Sequence, residues 1–268
     1  MMNVQIEKNS ISIPQYSLRK ILMIWAMAAI PMAVLGWVVA PTMADDPNKP
    51  GFERLAILAI GLVWQFILTM FLLYQETGSL RWSILKERLW LQSPRSPKTG
   101  EKQSSLLWWL IPLIVLTAIF EMLISGFIDN VWVYLFPFFA EPSGFSFGAA
   151  IDSPEWKSEL VGAWNIFALF MISALFNTVL GEELLFRGLL LPRMAGVFGK
   201  WDWVANGLLF GLYHLHQPWG IFTSAIAGSL LMALPSRYFR SSWFGIVIHS
   251  GQSIFFSILL LGLVLGLA

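Results

Sequence analysis

Residues 21–41 read ILMIWAMAAIPMAVLGWVVAP, an unbroken run without a charged, amide or hydroxyl side chain. An α-helix rises 1.5 Å per residue, so about 20 apolar residues cross the hydrocarbon core of a bilayer. Inside that core every backbone polar group needs an internal partner, which a helix supplies along its own length. Working outward, comparable runs occur at 55–74, 106–128, 161–191, 203–216, 219–235 and 243–265. The sequence therefore predicts an all-α, polytopic transmembrane helix bundle of about seven spans. The fifth and sixth runs are the weakest. The fifth is short and carries Asn206 and His214, and Pro218 and Gly220 mark the turn after it.

The whole chain agrees with that reading. Of its 268 residues 57% are hydrophobic and 12% charged, roughly half the 25% charge of an average soluble domain. Mean hydropathy is +0.67. Disorder needs the opposite balance. A net charge of +1 without a basic block argues against a nucleic-acid partner. With no cysteine, disulfides, thiolate metal sites and cysteine nucleophiles are all excluded.

With the N-terminus in the cytoplasm, the inner segments hold 14 of the 17 basic residues and the outer ones only Lys49, Arg54 and Lys157, as the positive-inside rule requires. The outer loop after residue 128 is acidic, with Asp129, Glu141, Asp152, Glu155 and Glu159. The first run is longer than a signal-peptide core, so an uncleaved span is expected. The stretch RWSILKERLWLQ at 81–92 suits a helix on the inner leaflet or an ordinary cytoplasmic helix equally. The organisation expected is a cytoplasmic segment at 1–20 and a single membrane domain at 21–268.

Ionised side chains at mid-membrane cost about 2.5–3.5 kcal/mol on insertion scales, so the few present are informative. They are Glu121, Glu182, Glu183, Arg187, His214 and His249, with His216 at the outer end of the fifth run. In GEELLFRG at 181–188, Glu183 and Arg187 stand four apart on one helix face and can neutralise each other. Glu182 has Phe186 at that offset and no such partner. A carboxyl without a partner in a low-dielectric site is suited to take and return a proton near neutral pH. The competing reading has both glutamates reaching the interface with Arg187. In FGLYH at 210–214, Phe210 and His214 share a face, whereas His216 points elsewhere and reads as an interface residue. In HSGQS at 249–253, His249 and Ser253 share a face, and Gln252 lies within reach of His249.

Other intramembrane chemistries lack their residues. There is no His-Glu-x-x-His, no Gly-x-Ser-x-Gly and no phosphate loop. No aspartate falls within the seven runs, which excludes an aspartyl dyad there. A glutamate with two histidines on three spans is left. An intramembrane enzyme fits this pattern. So does a non-enzymatic transporter, immunity or scaffold protein that uses the cluster for binding or proton relay; an enzyme need not involve Glu121, whereas a proton path could use it.

In order and spacing these motifs resemble the CAAX protease and bacteriocin-processing (CPBP, or Abi) family of intramembrane endopeptidases. The matching patterns are EExxxR at 182–187, FxxxH at 210–214, and HxxxS at 249–253 where the family has HxxxN or HxxxD. The likeness covers roughly 164–253, within a catalytic part of about 161–265. It implies that Glu182 is the general base that activates water and that His214 holds and polarises that water. It implies that His249 stabilises the oxyanion and that Arg187 orients the glutamates, Glu183 through their ion pair. Ser253 departs from the family's amide or acid but still offers one hydroxyl donor. The resemblance implies a membrane-associated peptide or protein as substrate, in a lipid bilayer. No cofactor is expected; zinc, for which glutamate and histidine are ordinary ligands, is the alternative.

Overall fold

The computed structural model describes residues 13–43, 51–142, 145 and 154–267. Lys8, Lys49 and Asp152, counted above in the charge pattern, lie outside them, as do the first twelve residues of the expected cytoplasmic segment. The helices in chain order are α1 (Leu18–Met43), α2 (Glu53–Thr77), α3 (Trp82–Arg88), α4 (Ser104–Leu135), α5 (Pro154–Leu160), α6 (Trp164–Arg193), α7 (Asp202–Tyr213), α8 (Pro218–Phe239) and α9 (Trp243–Val264). Among the described residues there is no strand, only an isolated bridge between Arg95 and Lys102. Six helices, α1, α2, α4, α6, α8 and α9, are long and apolar enough to cross a membrane. The seventh expected span is α7. Its 12 residues cover only about 18 Å before a tight turn at His214–His216. The chain is an integral, multi-pass membrane protein.

Two boundaries differ from the sequence reading. Helix α4 continues to Leu135, so Asp129 does lie inside a membrane-length helix, contrary to the expectation that no aspartate would. The helix continues because its far end is docked. Thr223 of α8 donates a hydrogen bond to Asp129, and the Trp132 indole N–H donates to the Pro218 carbonyl at 2.9 Å. A partner for a half-buried acid offsets much of its desolvation cost. In 81–92, α3 covers only seven residues, and Leu89 and Leu91 are buried in protein. Ser242 Oγ donates to the Leu89 carbonyl at 2.7 Å, so this stretch packs as a protein-bound strap.

Helix α6 is central. Every residue from 181 to 194 is buried, and Leu185, Phe186, Leu189 and Leu190 are fully so. Gly181 explains how α2 comes close: a Cβ there would meet the Leu62 carbonyl oxygen at 2.8 Å. Helices α7 and α8 touch through small residues, Gly207 against Ser229 and Gly211 against Ala225, the contact that lets membrane helices approach without a hydrophobic drive. Indole donors tie α1 to α7 and its following turn, Trp25 to the Leu209 carbonyl and Trp37 to the Leu215 carbonyl, both at 2.8 Å. At the opposite end Glu76 of α2 gathers three partners. Arg193 bonds it through Nε at 2.8 Å and Nη2 at 2.9 Å, Arg88 at 3.2 Å, and the Tyr16 hydroxyl at 3.0 Å.

Candidate active site

The two glutamates stand between widened π-turns of α6, Phe176–Gly181 and Leu184–Leu190. Such turns interrupt the regular ladder and recur at functional positions. Glu183 and Arg187 form the expected ion pair, Nη1 to Oε1 at 2.8 Å with both side chains wholly buried. His249 Nδ1 lies 3.0 Å from the same oxygen, which makes a carboxylate acceptor shared between α6 and α9. Arg187 also donates to the Gly228 carbonyl at 3.2 Å and lies 4.0 Å above the Phe210 ring. The approach of α9 depends on Gly245, because a Cβ there would collide with Glu183 Oε2. Both glutamates are buried, which overrides the reading in which they reach the interface.

Glu182 is held by different groups. The Asn177 amide, oriented as the neighbouring donors and acceptors require, donates to its Oε1 at 2.9 Å and Oε2 at 3.3 Å. The Tyr213 hydroxyl lies beside this carboxylate and interacts with it. Gln65 Nε2 of α2 donates to the Tyr213 oxygen at 2.7 Å. His249 interacts electrostatically with Glu182 and with His214. Asn177, Tyr213 and Gln65 carried no motif. A glutamine in the middle of a strongly apolar run was the one available signal for Gln65.

His214 Nδ1 lies 2.8 Å from the Phe210 carbonyl. A carbonyl only accepts, so Nδ1 carries the hydrogen, and in the neutral ring Nε2 keeps its lone pair. Phe210 is the common floor: the His214 ring meets it edge-on at 4.8 Å and the His249 ring at 6.0 Å. His216 is not the interface residue expected. It is buried, and its ring stacks on that of His214 at 5.5 Å. The reason is the tight turn, since at three residues per turn positions two apart diverge by about 120° rather than 160°. The buried Arg54 donates to the His216 carbonyl.

Ser253 stands one turn beyond His249 and is half-buried. Among the described residues no hydrogen bond ties its hydroxyl to the cluster. Ser250 instead pairs with Thr178 of α6 at 3.0 Å. Gln252 lines a groove of about 370 Å³ between α4 and α9, which Glu121 also lines.

The residues from 163 to 255 match the family model described as type II CAAX prenyl endopeptidase Rce1-like. Over that stretch the chain is similar to CAAX-type prenyl endopeptidases. The stretch contains α6, α7 and α8 and the His249 turn of α9, which are the elements that supply the cluster. No curated protein and no solved structure matches the chain.

The likeness to that family raises the question of a metal. Among the described residues no group of three or more His, Asp or Glu side chains is arranged to hold one. Glu183 already has a permanent cation, Arg187, on Oε1.

Proposed function

We propose that this protein is an intramembrane endopeptidase that hydrolyses a peptide bond in a membrane-associated protein or peptide, with Glu182 as general base. The observation that carries the reading is the asymmetry of the glutamate pair. Glu183 is committed to Arg187 and His249, while Glu182 has neutral groups against it, the Asn177 amide hydrogen-bonded and the Tyr213 hydroxyl alongside. One carboxyl holds the helices and the other is available for chemistry.

The steps follow from the donors. A water gives one hydrogen to Glu182 and lends the other to His214 Nε2, whose ring the Phe210 carbonyl fixes. Glu182 takes the proton as the oxygen attacks the scissile carbonyl carbon. His249, with Nδ1 on Glu183, presents Nε2–H to the resulting oxyanion when protonated, and Glu183 is the counter-ion. The Ser253 hydroxyl is a second donor on the same helix face. Glu182 then returns its proton to the leaving amine, so the acid and base roles balance over one turnover.

The first substrate to test is a quenched fluorescent peptide with a prenylated CAAX terminus, presented to the full chain in lipid nanodiscs. Glu182→Gln, His214→Ala and His249→Ala each reduce cleavage at least about 10²-fold while the protein still inserts. A chelator leaves the wild-type rate unchanged. Full activity in Glu182→Gln would overturn the glutamate-base reading.

A further inference from the structure

We infer that Gln65 and Tyr213 are positioning residues for Glu182, with the α2 amide directing the tyrosine hydroxyl and the hydroxyl fixing the carboxylate. The inference rests on the endopeptidase reading above and adds a fourth helix to its site. Gln65 lies outside the stretch that matches the family.

Gln65 and Tyr213 are both fully buried. A polar side chain at that depth is costly unless a partner uses it. The Gln65 N–H occupies a lone pair of the Tyr213 oxygen at 2.7 Å. A phenol has one hydrogen to give, so this contact leaves it free to turn toward the neighbouring Glu182 carboxylate, with which Tyr213 interacts. The ring cannot turn away, because Phe186 packs on it at 5.4 Å and Phe210 at 6.2 Å. Asn177 holds the carboxylate as well, at 2.9 Å. The missing Cβ of Gly181, next to the Leu62 carbonyl, is what allows α2 close enough for Gln65 to take part. The charged and titratable groups that face Glu182 are His249 from α9, Tyr213 from α7, and Glu183 and Arg187 from its own helix. Gln65 and Asn177 are the neutral members of this shell.

The test uses infrared spectra of the full chain in nanodiscs, recorded across pH. The protonated-carboxyl band that disappears in Glu182→Gln reports Glu182, with no need for substrate. Tyr213→Phe keeps the ring and its packing but removes the donor to the charged form. The band then persists to higher pH than in wild type, by about one unit. Gln65→Met, similar in volume and without an N–H, moves it the same way by less. In the double variant Gln65→Met adds nothing, because it acts only through the hydroxyl. The cleavage profile of Tyr213→Phe loses its acid side by the same interval.

A Tyr213→Phe protein that titrates with wild type overturns the inference. So does a Gln65→Met effect that persists in full when the hydroxyl is absent. The endopeptidase reading fails by a different result, a Glu182→Gln protein that cleaves the prenylated peptide at the wild-type rate whatever the infrared titration shows.

Discussion

Glu182 and Glu183 are adjacent in the chain and opposite in duty. Glu183 neutralises Arg187 inside protein, where neither side chain meets solvent. Removing one partner of a buried pair leaves a bare charge, at a cost of about 3–5 kcal/mol. Glu183→Gln is therefore expected to melt well below wild type by circular dichroism, since it strands Arg187 and weakens the acceptor of His249. Glu182→Gln removes a buried acid without leaving a cation behind and is expected to melt no lower than wild type. Equal melting points for the two variants would show that the pair is not structural. The Glu183–Arg187 contact was legible in the sequence, because four residues along a helix is local geometry. The Glu182 partners were not: Asn177 is five residues away, an offset that becomes a contact in a π-turn, and Tyr213 belongs to another helix.

Among the elements, one end of the bundle is closed by one acid. Glu76 of α2 receives Arg193 of α6, Arg88 of α3 and Tyr16 ahead of α1, so four segments meet at a single carboxylate. Tyr16 lies outside the spans and is buried. Its phenol is pushed from the ordinary 10.0 up to about 12, chiefly by burial, with Arg193 pulling it down and Glu76 pushing it up. The folded form thus keeps a proton that the unfolded chain releases. The stability this contributes is present below about pH 10 and is lost as pH rises through about 12. Thermal melts are expected to fall across that interval in wild type and to fall less steeply in Tyr16→Phe. Parallel curves would remove Tyr16 as the cause. The strap that ends in Leu89 belongs to the same scale. Its mix of basic and apolar residues left lipid and protein equally plausible as its partner, and only the buried contact with Ser242 distinguishes them.

At the scale of the whole molecule, the distribution of lysine and arginine predicts the N-terminus in the cytoplasm. The chain contains no cysteine, so single substitutions can be labelled without background. Lys98→Cys and Lys200→Cys are expected to react with an impermeant maleimide only from the cytoplasmic side, and Lys157→Cys only from the other. The reverse pattern would invert the topology. The sequence by itself determined the membrane class, the all-helical architecture, the approximate number of spans and the Glu183–Arg187 pair. Each of these depends on length, apolarity or spacing within one segment, and such local quantities survive without knowledge of the neighbours. The end of α4, the burial of His216 and the assembly of the cluster were decided by tertiary structure alone. His249 reaches Glu183 across 66 residues, and Gln65 reaches Tyr213 across 148. Periodicity sets which side chains share a helix face. Which faces then meet depends on where small residues such as Gly181 and Gly245 let backbones approach, and on which buried polar atoms find partners there.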